Sequence, residues 1–187
     1  MDNKKILFVD LDGTLIKEDL SNVAFSHSLR NFPFKTLLYL LVFLFKGKPY
    51  LKYKISKNFS IPFENLTFNK TAFDFIRDVK NRHRTVYLIS GSHQVLVDQI
   101  AKKLNIFFES FGTRDNFNMV GSNKVKFIKE NLKIHDFDYL GNSHKDLPIW
   151  KYTNLAIYTN ASPELIKTIR SKDLEIKEIP AKFSKTL

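Results

Sequence analysis

Near its start the chain reads Ile-Leu-Phe-Val-Asp-Leu-Asp-Gly-Thr-Leu over residues 6–15. The apolar run 6–9 does not alternate with polar residues, which is typical of a strand buried on both faces of a parallel sheet. Two acids, Asp10 and Asp12, follow directly, and Gly13 permits a tight exit from the sheet. In open α/β sheets ligands bind outside the carboxyl ends of strands, so this stretch predicts both the fold class and the place of the chemistry.

The rest of the chain repeats this strand pattern and alternates it with helical periodicity. Apolar runs at 86–89 and 155–158 resemble the first strand in composition. Apolar residues recur every three to four positions in 72–79, 97–104 and 125–132. Strands that alternate with helices predict an α/β fold with a doubly wound parallel sheet.

One segment interrupts this alternation. Residues 17–66 are too long for a simple connection, and Pro33, Gly47 and Pro49 divide them into stretches of helical composition. We therefore predict a small helical cap at 17–66, inserted after the first strand into a core made of 1–16 and 67–187.

Composition restricts the classes of function. The 187 residues hold no Cys, which excludes disulfides and thiolate zinc sites, so any metal must bind oxygen ligands. The 30 Lys and Arg against 19 Asp and Glu give a net charge of +11, which favours an anionic partner or merely a well-solvated surface. The first residues leave no room for a secretory signal, so we expect a cytoplasmic protein.

The paired acids predict a cation. Two carboxylates separated by one residue repel each other unless a hard divalent ion, most simply Mg²⁺, binds between them. If that ion also neutralises a phosphate, Asp10 can attack phosphorus while Asp12 protonates the leaving oxygen and later activates water. The alternative is that both acids only end a strand and cap a turn.

The string Phe-Val-Asp-Leu-Asp-Gly-Thr-Leu at 8–15 resembles the first motif of the haloacid dehalogenase superfamily of phosphatases. The resemblance implies an aspartyl-phosphate mechanism on a Rossmann-like fold with a type 1 cap. The sequence Ser90-Gly91 after the second predicted strand resembles the second motif, which binds the transferring phosphoryl group. Lys124 resembles the third-motif lysine that neutralises phosphate, with Lys126 as a nearby alternative.

The stretch 139–148 resembles the fourth motif, in which an acid is followed four residues later by Asp. Asp146 fits, but Asn142 departs from the pattern, because an amide supplies oxygen without charge. The resemblance implies a metal site formed by Asp10, Asp12, Asn142 and Asp146. Three interpretations of the departure remain open: weakened metal affinity, an Asp146 that reaches the metal through water, or a member of the family without turnover.

The predicted cap contains the apolar run 36–45, flanked by lysines on both sides. The run is too short to cross a bilayer, so it is either packed against the core or placed on a membrane surface with lysines on anionic headgroups.

The whole chain also resembles the soluble phosphatase domain found joined to, or beside, membrane polyprenyl-transferases. That similarity implies a lipid-linked sugar phosphate of the phosphoribosyl polyprenyl type as substrate, and an anionic membrane or a membrane prenyltransferase as partner. The protein would then lie peripherally on the inner face of the cytoplasmic membrane.

Two other classes of function stay open. One is a phosphatase for small soluble metabolites that is similar to phosphoserine phosphatases. The other is an inactive module that binds a membrane or nucleic acid through its basic, aromatic surface. No nucleic-acid motif is recognisable, so we expect no nucleic-acid partner.

Overall fold

The structure is a computed structural model that describes residues 6–114 and 116–186. The predicted core extends past these limits, since residues 1–5 and 187 lie outside the described residues. The strands of the main sheet are β1 (Ile6–Val9), β3 (Val86–His93), β4 (Glu109–Thr113), β5 (Phe137–Gly141), β6 (Ala156–Thr159) and β7 (Ile176–Ile179), and β2 (Phe68–Asn69) pairs separately with β8 (Phe183–Ser184). The helices are α1 (Leu20–Asn31), α2 (Pro33–Ser56), α3 (Lys70–Asn81), α4 (Gln94–Leu104), α5 (Ser122–Lys126), α6 (Leu147–Trp150) and α7 (Pro163–Arg170).

The main sheet has six parallel strands in the order β4-β3-β1-β5-β6-β7. This order confirms the predicted doubly wound α/β fold, because the chain runs outward from β1 in both directions. The register aligns Val9 with Leu88 of β3 and with Leu140 of β5. The strands β1 and β5 therefore end at nearly the same level, and β3 continues past them to His93, so the residues after β1 and β5 lie beside the last residues of β3 at one edge.

Helix termini are fixed by side chains that the sequence places at the N-caps. The side chain of Asp19 accepts from the amide of Asn22 at the start of α1, and Asn69 accepts from Ala72 at the start of α3. Ser162 caps α7, where Pro163 occupies the first turn. These are standard N-cap interactions that satisfy otherwise free amides.

The predicted cap segment is helical. It contains α1, α2 and a short 3-10 turn at Phe63–Asn65. Helix α2 is broken at Gly47, whose backbone (φ 75°, ψ −179°) is not helical, and Pro49 lies two residues after the break. Among the described helices, α2 included, none combines the length and apolarity of a membrane span.

Candidate active site

Asp10 lies at the floor of the site, directly after β1. Its amide donates to the carbonyl of Leu140 at 2.9 Å, which holds the residue between β1 and β5. Its buried carboxylate accepts a 2.6 Å hydrogen bond from Lys124 Nζ. Burial raises the pKa of Asp10 to about 7; Lys124 opposes the increase, and the charges of Asp146 and Asp12 add to it.

Asp12 is directed to a different set of donors. Its Oδ1 accepts from the amide of Leu20 at 2.8 Å, and its Oδ2 accepts from Ser90 Oγ at 2.7 Å and Ser92 Oγ at 2.9 Å. Burial raises the pKa of this carboxyl group, while these donors oppose the increase. Asp12 thus joins the start of the helical segment to the end of β3, and the two acids have separate environments.

Lys124 is buried in the first turn of α5 and connects two carboxylates. Besides Asp10, it donates to the hydroxyl of Tyr139 at 2.7 Å. That hydroxyl donates in turn to Asp146 Oδ1 at 2.8 Å. Because Tyr139 is enclosed, burial raises the pKa of its hydroxyl group well above the usual range, and Asp146 and Asp10 raise it further. The chain Asp10–Lys124–Tyr139–Asp146 is therefore a continuous hydrogen-bonded network.

Asp146 fixes the loop after β5. Its Oδ2 accepts from the amides of Asn142 and Ser143 at 3.0 and 2.9 Å, and from Ser143 Oγ at 3.1 Å. A Cβ on Gly141 would lie 2.7 Å from this carboxylate, so only glycine permits the approach. Both oxygens of Asp146 thus accept hydrogen bonds from its own loop and from Tyr139, and its role as a metal ligand, directly or through water, stays a prediction.

Oxygen atoms of Asp10 and Asn142 converge near Thr14. The hydroxyl of Thr14 lies 3.4 Å from Asp10 Oδ2 and 3.3 Å from Asn142 Oδ1. Gly13 is required here, because its φ is +76° and a Cβ would lie 2.3 Å from Asn142 Nδ2. Within 6–114 and 116–186, no three His, Cys, Asp or Glu side chains are grouped as a metal site. A carboxylate and an amide oxygen still fit Mg²⁺, which binds through few protein oxygens and keeps several waters.

A cavity of about 490 Å³ opens above these groups. It brings together six of the predicted residues: Asp10, Asp12, Gly91, Lys124, Asn142 and Asp146. Ser90, the predicted phosphate ligand, is fully buried and does not line the cavity, whereas Ser92 does. Lys126, the alternative to Lys124, is exposed and forms an ion pair with Glu130.

Sequence reasoning missed three residues of the site. Ser92 had a recognisable signal, since residues two apart on an extended strand point to the same side. Tyr139 carried no signal, because a tyrosine in an apolar run is normally core. Lys52 of α2 also carried none: its Nζ crosses to β3 and donates to the carbonyl of Gly91 at 2.5 Å and to Asn118 Oδ1 at 2.8 Å.

Residues 7–151 match the family model described as haloacid dehalogenase-like hydrolase. The chain belongs to this family. The membership confirms the resemblance seen in the first motif, and the matched range contains every residue of the site described above. The protein is therefore a member of the haloacid dehalogenase-like hydrolase family.

Individual relatives of this hydrolase are distant. An uncharacterized protein of Sinorhizobium fredii, y4nM, is 30% identical over 182 residues, which cover 95% of this chain but 34% of that protein. The chain thus spans about a third of that relative. A substrate-bound phosphoserine phosphatase shares the fold with a TM-score of 0.62 at 17% identity, covering 96% of both chains. A Bordetella pertussis protein of unknown function has a TM-score of 0.67 at 14% identity, covering 92% of this chain and 97% of its own.

Proposed function

We propose that this hydrolase cleaves phosphate monoesters through a phosphorylated Asp10. The observation that carries the proposal is the position of the Asp10 carboxylate at the cavity floor, 2.6 Å from Lys124 Nζ. A buried ammonium beside the nucleophile neutralises both the carboxylate and the oxygens of an incoming phosphoryl group.

Two displacements account for the reaction. In the first, an oxygen of Asp10 bonds to phosphorus, the bond from phosphorus to the ester oxygen breaks, and Asp12 gives its proton to that oxygen. In the second, Asp12 takes a proton from water, the water oxygen bonds to phosphorus, and Asp10 leaves as a carboxylate with release of inorganic phosphate. The raised pKa of Asp12, caused by burial, suits a group that must both give and accept a proton.

The surrounding residues support these steps. Ser92 and Gly91 line the cavity and would bind phosphoryl oxygens, while Ser90 holds Asp12. Asp10 and Asn142 would hold Mg²⁺, and bound Mg²⁺ would supply positive charge that neutralises the phosphoryl group. We assign Asp146 to positioning, because it fixes the loop that carries Asn142 and supports Lys124 through Tyr139.

The test is hydrolysis of p-nitrophenyl phosphate with and without Mg²⁺. We expect turnover that EDTA abolishes and Mg²⁺ restores, and a loss of at least about a thousandfold in kcat for Asp10→Asn. Asp74→Asn, an exposed acid on α3, is the matched control and should retain full activity. Full activity of a folded Asp10→Asn protein, judged by circular dichroism, would rule out the phosphoaspartate.

A membrane surface is the second part of the proposal, and its support comes from the first half of α2. The side chains that share one exposed face are Phe34, Leu37, Leu38, Leu41, Leu44 and Phe45, which are 54–89% exposed. Their spacing of three and four residues makes one continuous stripe. The opposite side is held by Thr36, whose hydroxyl lies 2.7 Å from Ser28 Oγ on α1. A stripe this apolar favours burial against a partner.

Charge around the stripe favours anionic lipid as that partner. Residues 20–63 contain no acid and seven cations: Arg30, Lys35, Lys46, Lys48, Lys52, Lys54 and Lys57. Apolar side chains flanked only by cations are typical of helices that lie in the headgroup region of anionic membranes. We therefore place the protein peripherally on the cytoplasmic face of the membrane.

The position of the stripe bears on the substrate. Phe45 ends it, and Lys48, three residues later, lines the catalytic cavity. A phosphorylated sugar on a lipid carrier would keep its lipid near the stripe while its phosphate enters the cavity. This arrangement supports a lipid-linked sugar phosphate over a free metabolite as the substrate.

Vesicle flotation tests the membrane part. The wild type should float with vesicles that contain 30% phosphatidylglycerol, and Leu41→Glu with Phe45→Glu should reduce the floated fraction at least about tenfold, because two buried apolar side chains contribute about 3 kcal/mol or more. Phe108→Glu, which changes an exposed aromatic residue on the core, is the control. Equal flotation of all three proteins, or none, would contradict membrane docking. If the double variant behaves as the wild type and gel filtration shows a dimer, the stripe is an interface between copies.

A substrate panel tests the finer assignment. It compares a polyprenyl-phosphate-linked ribose 5-phosphate, free ribose 5-phosphate and O-phosphoserine at equal concentration. We expect the highest kcat/KM for the lipid-linked ester. A preference for O-phosphoserine would instead favour a small-metabolite phosphatase like the phosphoserine phosphatases that share the fold.

A further inference from the structure

Lys52 occupies an unusual position for a lysine. It belongs to the second part of α2, yet its ammonium leaves the surface and enters the cavity wall between Gly91 and Asn118. Neither partner carries a charge. An ammonium drawn partly out of water without a carboxylate costs free energy, which a solvated surface lysine avoids.

The charges around the cavity are unbalanced in the same place. Five lysines line it: Lys17, Lys48, Lys52, Lys124 and Lys145. Among the ion pairs between described residues, only Lys124 of these five takes part. The four lining acids have other partners, since Asp10 binds Lys124, Asp12 binds serines, Asp19 caps α1 and Asp146 fixes its own loop. Four of the lining lysines therefore have no ion-pair partner among the described residues, although the charges of Asp12 and Asp19 attract Lys52 without forming an ion pair with it.

Lys52 also has donor capacity left. An ammonium group has three N–H donors, and the contacts with Gly91 and Asn118 use two of them. The third is available to a ligand in the cavity. Since Lys124 serves the phosphoryl group at the floor, Lys52 on the wall can serve a different part of the same molecule.

We propose that Lys52 binds a second phosphate group on the substrate, so that the preferred ester carries two phosphates rather than one. The proposal rests on the proposed phosphatase activity and deepens it. Such doubly phosphorylated substrates include a sugar that has a phosphomonoester at one end and a phosphodiester bond to a carrier at the other. Lys48 and Lys145, which also line the cavity, contribute positive potential, and Lys52 provides the fixed contact.

The test uses the full chain with two matched esters, fructose 1,6-bisphosphate and fructose 6-phosphate. The readout is the ratio of their kcat/KM values, which cancels effects on the shared chemical step. We expect a ratio above about 10 for the wild type, because a charge-assisted hydrogen bond contributes enough for a tenfold preference or more. Lys52→Gln should bring the ratio close to 1, and Lys52→Arg should retain most of it. Lys80→Gln, the same change in charge on exposed α3, should leave it unaltered.

A binding measurement separates this proposal from the phosphatase proposal. Calorimetry on Asp10→Asn should show tighter binding of the bisphosphate, and the added Lys52→Gln should abolish the difference. If no ester is hydrolysed but this difference persists, the enzyme assignment fails and the Lys52 site stands. If esters are hydrolysed and the ratio is equal in wild type and Lys52→Gln, the Lys52 site fails alone. O-Phosphoserine is the third arm: an effect of Lys52→Gln on this ester and not on the bisphosphate would show that the residue binds carboxylate, and would overturn the proposal.

Discussion

At the residue scale, the site depends on buried charges that are compensated within a few ångströms. Lys124 and Asp146 are almost fully enclosed, and Tyr139 connects them. Buried charges are costly unless each is paired or hydrogen-bonded, so the network must form as a unit. A change in its centre should therefore affect both stability and activity.

Tyr139→Phe tests this network by removing one oxygen and little volume. Lys124 loses an acceptor and Asp146 loses a donor, so the free energy of unfolding in urea should fall by about 1–3 kcal/mol. Tyr158→Phe is the control, because the Tyr158 hydroxyl donates to Glu178, whose side chain is half exposed. This substitution should lower the free energy of unfolding by less than Tyr139→Phe does. Equal stability of Tyr139→Phe and wild type would show that the network contributes nothing.

A pH dependence follows from Lys52. Burial lowers the pKa of its ammonium group to about 8, while Asp12 and Asp19 oppose the decrease and Lys145 and Lys48 add to it. The side chain is charged below this pKa and neutral above it. The preference for a bisphosphate over a monophosphate should therefore be full near pH 6.5 and decline as the pH rises through about 8. A ratio of kcat/KM values that stays constant from pH 6.5 to 9 would contradict a charged Lys52.

At the element scale, the break in α2 sets the direction of its second part. Gly47 has a φ of +75° with an extended ψ, a conformation that L-residues adopt at a cost of about 1–3 kcal/mol. A Cβ at this position would contact only Pro49 Cδ, at 3.9 Å, so the penalty would come from the backbone alone. The break lets one half of α2 carry the apolar stripe while the other brings Lys52 to the cavity.

Gly47→Ala should therefore lower the free energy of unfolding by about 1–3 kcal/mol in urea denaturation. It should also reduce the preference for the bisphosphate, because relief of the strain moves Lys52. Lys46→Ala, one residue earlier and helical, is the control and should change stability by about 0.5 kcal/mol or less. If Gly47→Ala is as stable as Lys46→Ala, the backbone conformation at the break does not require glycine.

At the scale of the whole molecule, charge and apolar surface act together. The net charge is +11, and residues 20–63 carry only cations. Electrostatic attraction to an anionic bilayer is screened within about 8 Å at physiological ionic strength, whereas burial of apolar side chains is not. Varying the salt concentration therefore separates the electrostatic contribution to membrane binding from the apolar one.

We expect binding to anionic vesicles to weaken at least about tenfold between 20 and 500 mM NaCl, because screening removes most of the attraction between exposed charges. In Leu41→Glu with Phe45→Glu, the residual binding at low salt should disappear at high salt. Flotation on neutral phosphatidylcholine vesicles should be weak for the wild type. Salt-independent binding, equally strong on neutral vesicles, would show that the lysines have no part in docking.

The sequence alone determined the class of the sheet, the helical composition of the insertion and most of the residues that line the cavity. Buried parallel strands have a strong local signal, and the register of β1 with β3 and β5 follows once they pair. Apolar runs predicted β1, β3 and β6, but not the central strand β5 or the edge strands β4 and β7. Charged or polar residues interrupt these three strands, as Asp138 does in β5 and Lys177 and Glu178 do in β7. The family motifs placed Asp10, Asp12 and Lys124 correctly in one cavity, since motif residues follow strand ends.

Only the tertiary structure decided which groups those residues contact. Side-chain partners depend on distances between segments far apart in the chain, which no local pattern encodes. The structure thus directs Asp12 to Ser90 and Ser92, turns Asp146 toward its own loop, and brings Lys52 across from α2. It also decided that the apolar run of α2 exposes a stripe to solvent. How much of a helix its neighbours cover depends on tertiary packing, which the helical pattern does not encode.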